Sequence, residues 1–582
     1  VQDRAAVPAL LERLNDGPAV QQAAAYALGQ IGDSTAAEHL AHWTMRSAGN
    51  YATEKTLFEA LGRCVSRTSL PLVWRIKLLP PSPDTLISAG VAWGIYRAMV
   101  RGLATPEAVQ QVTRLLSQPN APLAARRGAS AALTRMRGQD STLARVALPI
   151  LLKALSSDPD YFVRANCATA LGRVARPGVY TVLAKEAIYD ADHRVRIAAL
   201  RALPDALLFP VGILPSAAPA IAYKRKELLE TSYRLKPIAV LWQGLDRSLA
   251  QEALVAAEWF LKAKPDNALL PGLLTMVQDT RHYRARATLL QAALRHAPAA
   301  QRPAVADTIR RRYQRTTNQY EKAALLTALG EDPAQFDFLA REVMQPSKAP
   351  VVPGTALTAL VAMRGNKDFS IARQADFMAT LRRALAGGDV AQLSTIAEAY
   401  ADPKLVPIAP PTDLAALRQA RDKLVLPGEI EPWIALQQTL DKLEKVKTPT
   451  FIPRGAASQN PIDWDAVQRV PVGQRVRLTT TQGTIELVLK VEEAPGAVAS
   501  FALLVGKHFY DGLYFHRVVP NFVAQGGDPR GDGSGSVPYT LRSELAQLTY
   551  GAGAVGLASA GKDTESCQFF VTHLPTPHLD GR

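Results

Sequence analysis

The chain has 582 residues, 48% of them hydrophobic and 20% charged, with a formal net charge of +15. That length exceeds what one hydrophobic core supports and that composition excludes a disordered chain, so several folded modules or a repeat array are expected. No apolar run approaches the eighteen residues of a membrane-spanning helix, and three scattered cysteines (Cys64, Cys167, Cys567) exclude a disulfide scaffold or a cysteine-based metal site.

The charge is uneven. From Arg475 onward nine basic side chains face ten acidic ones, so the excess lies in the first 474 residues. A basic surface can attract nucleic acid, but there is no zinc finger, basic zipper or basic run interleaved with aromatics, and a nucleic-acid partner is not expected. The chain opens at Val1, inside what reads as a helical repeat, as a processed or trimmed chain would.

The first elements are repeats. Ala-Leu-Gly followed by Gln or Arg occurs at 27–30, 60–63 and 170–173. Two fuller copies, DPDYFVRANCATALGRV (158–174) and DADHRVRIAALRAL (190–203), align at a spacing of thirty-two residues, and looser copies end at Leu133, Leu294, Leu329 and Leu360. Apolar residues fall at helical spacing, and alanines let helices approach closely. The Asp-Pro or Asp-Ala before each full copy reads as a turn and cap, and the glycine after Ala-Leu as a helix stop. Arg164 and Arg196 are expected to pair with acids in neighbouring turns. Asp190, Asp192 and His193 read as caps and solvated groups, not as a metal site. One helix pair cannot bury its apolar face alone, so pairs must stack. The pattern resembles the HEAT-repeat family, well over 1–66 and 120–205 and loosely from 206 to about 445. That resemblance implies an all-α solenoid over 1–447 that binds protein partners. LLPPSPD (78–84) and IAPPTD (408–413) read as inter-helix loops.

Helical character ends at LQQTLDKLEKVK (436–447). TPTFIPRGAASQNPID (448–463), with three prolines, reads as a connector, and the linker is assigned to 448–474. Trp464 is expected to pack back on the module that follows.

Over 475–582 the period changes. RVRLTTTQGTIELVLK (475–490) alternates as a β-hairpin does, and APGAVASFALLVGKHFYDG (494–512) reads as a short helix closed by a turn. YFHRVVPNFVAQGGD (514–528) reads as strand and is expected to bury a single arginine. A glycine-rich stretch, RGDGSGS (530–536), lacks the Gly-Lys-Ser/Thr of a phosphate loop and reads as a flexible connection. AVGLASAGKDTESCQFFVTH follows at 554–573. Short strands with few helices suggest a mainly-β barrel.

GTIELVL, FYDGLYFHRVVPNFVAQGGD, GLASAG and SCQFF together resemble the cyclophilin-type peptidyl-prolyl cis-trans isomerases. The resemblance implies that Arg517 is the catalytic arginine and Gln525 its partner. It implies that His516, Phe522, Ala558, Ser559, Gln568, Phe570, His578 and Leu579 bind substrate, a proline-containing protein or peptide. Rotation about a peptide bond must cross roughly 18–20 kcal/mol, and Xaa-Pro bonds populate both isomers and exchange slowly. An apolar cup of Phe522, Phe570 and Leu579 can hold the proline ring, and a guanidinium at the prolyl nitrogen favours the twisted amide. No bond is made or broken, so no cofactor or metal is called for. The chain departs from the family at His578, where an aromatic ring is usual, at Cys567 and at Ser559. It stops at Arg582, short of the family's further strands and closing helix, so the barrel is expected to be C-terminally incomplete. A runner-up reading is a non-enzymatic scaffold with a weak or inactive proline-binding domain. Alanine- and arginine-rich composition with this repeat type suggests a bacterial protein, of periplasm or cell envelope.

Overall fold

In the computed structural model, residues 3–44, 51–74, 85–174, 177–203, 247–262, 265–448, 450 and 461–581 are described. Within the expected linker, 451–460 lies outside the described residues, as do LLPPSPD and the stretch 204–246. Two compact units divide the chain, Val1–Ser232 and Tyr233–Asp580. The second therefore contains the later helices together with the strand-bearing module.

The first unit is helical throughout its described residues. The helices Pro18–Ile31, Tyr51–Cys64 and Thr85–Val100 pack side by side in turn, and Tyr161–Leu171 packs on His193–Ala202. The full repeats share out the work of their two aspartates. The second, Asp160 or Asp192, caps the helix that follows, accepting from the Val163 or Arg194 N–H. The first, Asp158 or Asp190, receives an arginine from the preceding repeat, Arg126 or Arg164, each with Nε at 2.8 Å. Arg164 also donates to the Asp158 carbonyl at 2.8 Å, and Arg196 repeats that contact on the Asp190 carbonyl at 2.6 Å. The pairing expected of Arg164 is therefore present, and Asp190 and Asp192 serve as ion-pair partner and cap. Because Asp190 is almost fully buried, the guanidinium offsets a charge that water cannot reach.

The repeated glycine stops the helix at Gly172, as expected, but plays another part in the two earlier copies. Gly29 and Gly62 lie inside their helices, not after them. A Cβ on Gly62 would sit 2.0 Å from the Gly94 carbonyl oxygen, and one on Gly29 2.9 Å from the Ala60 Cα. Here adjacent helices touch backbone to backbone, and hydrogen is the only side chain that fits.

All three cysteines are unpaired and buried. Burial pushes the Cys64 thiol up to about 12, which leaves it inert at neutral pH.

The second unit continues as helices from Arg247–Lys262 to Ile430–Leu443, followed by a short helix, Trp464–Gln468. Trp464 is 59% exposed, contrary to the expectation that it packs back. The strands form two antiparallel sheets: β1 (Arg475–Thr480) with β2 (Gly483–Val488), and β3 (Arg517–Val519), β4 (Val523–Gly526), β5 (Val555–Leu557) and β6 (Phe569–Thr572) in the order β3-β4-β6-β5. Among the described residues they do not close into one barrel. The sheets are joined through side chains: Leu487 of β2, Phe501 of the helix Pro495–Gly506 and Phe569 of β6 form a core, with Phe501 and Phe569 edge to face at 6.0 Å. The helix starts at Pro495, where a missing N–H costs nothing, and the Glu544 carboxylate accepts from the Gly496 and Ala497 N–H groups at 2.8 Å each.

Helix propensity alone favours Gly62→Ala by roughly 1 kcal/mol, whereas overpacking costs typically 1–3 kcal/mol. A methyl that meets a backbone carbonyl has nowhere to go, so Gly62→Ala is expected to lower the thermal midpoint of the helical array. Gly387→Ala, in a helix where nothing stands within 4 Å of the added carbon, is expected to leave it level or raise it. Thermal unfolding followed by helical circular dichroism compares the two.

Candidate functional site

The site is built on the β3–β4 hairpin. Its turn passes through Asn521 at φ 59°, a left-handed conformation that asparagine tolerates better than most residues. The antiparallel register sets Arg517 opposite Gln525, and the β4–β6 register sets Gln525 opposite Phe570. Directly opposed residues project to the same face of a sheet. Arg517 is exposed, not buried, which corrects the expectation from its apolar neighbours.

A chain of hydrogen bonds holds the guanidinium. Arg517 Nη1 donates to Gln525 Oε1 at 3.1 Å, and Gln525 Nε2 donates to Gln568 Oε1 at 2.9 Å. Gln568 Nε2 in turn donates to the Gly533 and Gly535 carbonyls at 3.0 and 2.7 Å. Each amide therefore has one orientation that satisfies both neighbours. The glycine-rich stretch is the anchor of this chain and not a slack connection. Asp528, 1% exposed, accepts from the main-chain N–H groups of Arg530 and Asp532 at 2.8 and 2.9 Å and also from that of Gly533.

The chain opens into a cleft of about 670 Å³. His516, Arg517, Phe522, Gln525, Ala558, Ser559, Gln568, Phe570 and Leu579 all line it. His578 is not in the lining; its imidazole stacks on Phe522, 5.5 Å between centroids and 24° between planes. A flat ring thus stands where the sequence departs from the family, and it packs as a ring. Tyr550, which the sequence reading passed over, lines the cleft and packs on Phe570 at 5.5 Å. So do Val351, Ser394, Gly428, Ile430, Glu431 and Pro432 of the helical part of the same unit. Nothing in their local sequence marks them, because only the chain's return brings them here. Cys567 is fully buried behind the cleft, its thiol pushed up to about 11 by burial.

Residues 475–582 match the family of cyclophilin type peptidyl-prolyl cis-trans isomerases, and residues 126–204 match HEAT repeats. Peptidyl-prolyl cis-trans isomerase B of Bacillus subtilis is 52% identical over 99 residues, covering 17% of this chain and 69% of that protein. A peptidyl-prolyl cis-trans isomerase of Synechococcus elongatus is 46% identical over 104 residues, covering 18% of this chain and 72% of its own. A solved cyclophilin type isomerase of Cryptosporidium parvum, crystallised in the presence of the dipeptide Ala-Pro, is 32% identical over 19% of this chain and 73% of that chain, with a TM-score of 0.18. Similar proteins occur in bacteria and in fungi, so the similarity does not assign a bacterial source.

His516 generates a pH prediction. Both its ring nitrogens are buried without a hydrogen-bond partner among the described residues. Burial lowers its pKa below the ordinary 6.5, with Asp528 and Asp532 partly opposing. The unfolded chain therefore takes up this proton first, and the stability tied to neutral His516 is present above about pH 6.5 and lost as pH falls toward the folded value. Denaturant unfolding between pH 8 and pH 5 should show a steeper acid decline in wild type than in His516→Asn.

Proposed function

The chain belongs to the cyclophilin-type peptidyl-prolyl cis-trans isomerase family, and from that membership we propose that it catalyses cis-trans rotation of Xaa-Pro bonds in client proteins. The observation that carries the reading is the Arg517–Gln525–Gln568 chain, which lines the same cleft as the apolar residues Phe522, Phe570 and Leu579. Delocalisation of the prolyl nitrogen lone pair into the carbonyl makes the barrier of roughly 18–20 kcal/mol. At the twisted midpoint that lone pair is localised on nitrogen and can accept a hydrogen bond. A fixed N–H donor at that point interacts more strongly with the twisted amide than with either planar isomer, so its binding energy lowers the barrier. The apolar cup holds the ring while the carbonyl side turns. In this reading Arg517 is catalytic, and Gln525 and Gln568 are positioning residues that also meet substrate backbone. His516, Ala558 and Ser559 line the channel for the flanking peptide, and His578 supports the Phe522 wall.

The HEAT-like helices supply a surface for client or partner proteins, as the repeats matched at 126–204 support. A place in the periplasm or cell envelope of a bacterium belongs to the same reading, supported by composition and repeat type. Fractionation of cells expressing the tagged full-length protein tests it, and recovery in the cytosolic fraction alone refutes it.

Arg517→Ala is expected to cut kcat/KM on an Xaa-Pro peptide by about 10²–10³-fold, the usual loss for one preorganised donor, with a much smaller change in peptide Kd. Arg517→Lys keeps the charge but not the planar fork and should recover little. Gln568→Leu, which removes the tie to the loop, should cost roughly three- to tenfold. Exchange spectroscopy on a proline peptide measures all three. Equal rates for wild type and Arg517→Ala would leave the scaffold reading in its place.

A further inference from the structure

The C-terminal strands and the later helices belong to one compact unit, and several polar contacts seat one on the other. Arg284 Nη1 donates to the Val518 carbonyl at 2.9 Å. Tyr320 Oη donates to the Gly531 carbonyl at 2.9 Å, and its ring meets Tyr514 edge to face at 5.4 Å. Arg530 Nη2 reaches Asp389 at 2.7 Å while also holding Asp532 at 2.9 Å. Ser536 Oγ donates to the Gly428 carbonyl at 2.6 Å. Three of these contacts fall on residues 530–536, the loop whose carbonyls orient Gln568.

The same seating brings the start of the helix Ile430–Leu443 to the cleft. Ile430 and Pro432 are buried, while Glu431 between them is exposed to solvent and lines the cleft. Among the described residues no basic side chain is paired with it. Burial by the surrounding protein, and then the Asp528 carboxylate, raise its pKa. The unit thus supplies one wall of the cleft from its own helices and sets on it an acid that, among the described residues, has no basic partner.

We propose that this helical wall is part of the substrate site and that Glu431 selects Xaa-Pro segments carrying lysine or arginine beside the proline. The inference rests on the isomerase reading above. A cation from the client can sit against the Glu431 carboxylate, with which no basic side chain among the described residues is paired. Because the cleft is only partly desolvated, the preference is expected to be modest, roughly three- to tenfold in kcat/KM.

The test uses the full chain and matched proline peptides with Lys, Gln or Glu placed on either side of the Xaa-Pro pair. The readout is the ratio of kcat/KM for the Lys and Glu peptides within one protein, so a general loss of activity cancels. Wild type should favour Lys, Glu431→Gln should bring the ratio near one, and Glu431→Lys should invert it. If neither variant folds, raising salt from 50 to 500 mM on wild type should collapse the ratio. Acceleration of all peptides with a flat ratio in wild type, or a ratio unmoved by the variants and by salt, overturns the inference and leaves the isomerase reading standing. No acceleration of any peptide, with Arg517→Ala equal to wild type, overturns both.

Discussion

One buried carboxylate holds the site together. Asp528 sits out of water, and a charge in that position is tolerated only if donors surround it. The donors are main-chain N–H groups of the loop that follows, so satisfying the charge also folds the loop. Once folded, the loop presents the Gly533 and Gly535 carbonyls to Gln568, and the orientation passes through Gln525 to Arg517. The flexible, exposed guanidinium of Arg517 is thereby aimed without a salt bridge, among the described residues, that would compete for it. The cost of ordering a long side chain is carried by the fold rather than by the substrate.

The helical part repeats one solution at a larger scale. In the full repeats an arginine reaches forward to the first aspartate of the next turn, and the second aspartate caps the helix beyond. The pair fixes the position of each helix start against its predecessor, while alanine and glycine let the helices close. Packing and electrostatics thus act on the same few residues per repeat.

Much of this was legible in the sequence, and the reasons for the exceptions are physical. Helical period and strand alternation report which face is buried, so the module types could be read directly. The cleft residues Phe522, Gln525, Gln568 and Phe570 come from neighbouring strands whose ordered blocks carry the family resemblance. Arg517 was misjudged as buried because its neighbours are apolar; at a strand position, side chains alternate, and its own face opens to the cleft. The glycine of Ala-Leu-Gly stops its helix at Gly172 but not at Gly29 or Gly62, because a helix stop and a helix contact leave the same letter, and only the neighbouring helix, at 2.0 Å from a Cβ on Gly62, tells them apart. Ile430, Glu431 and Pro432 left no signal, since more than eighty residues separate them from the strands they meet.

The glycine-rich loop orients Gln568 through its peptide carbonyls, while the side chains of Arg530, Asp532 and Ser536 hold the loop in place. Over evolutionary time the identity of Ser534 can therefore drift, whereas Gly533, at φ 96°, and Gly535, whose added Cβ would sit 2.0 Å from the Asp528 carboxylate, are held to glycine. Length is another matter: a single residue gained or lost between Asp528 and Gly535 shifts both carbonyls against an amide that cannot follow. Variation in this family branch should accordingly show substitutions in the loop far more often than insertions or deletions.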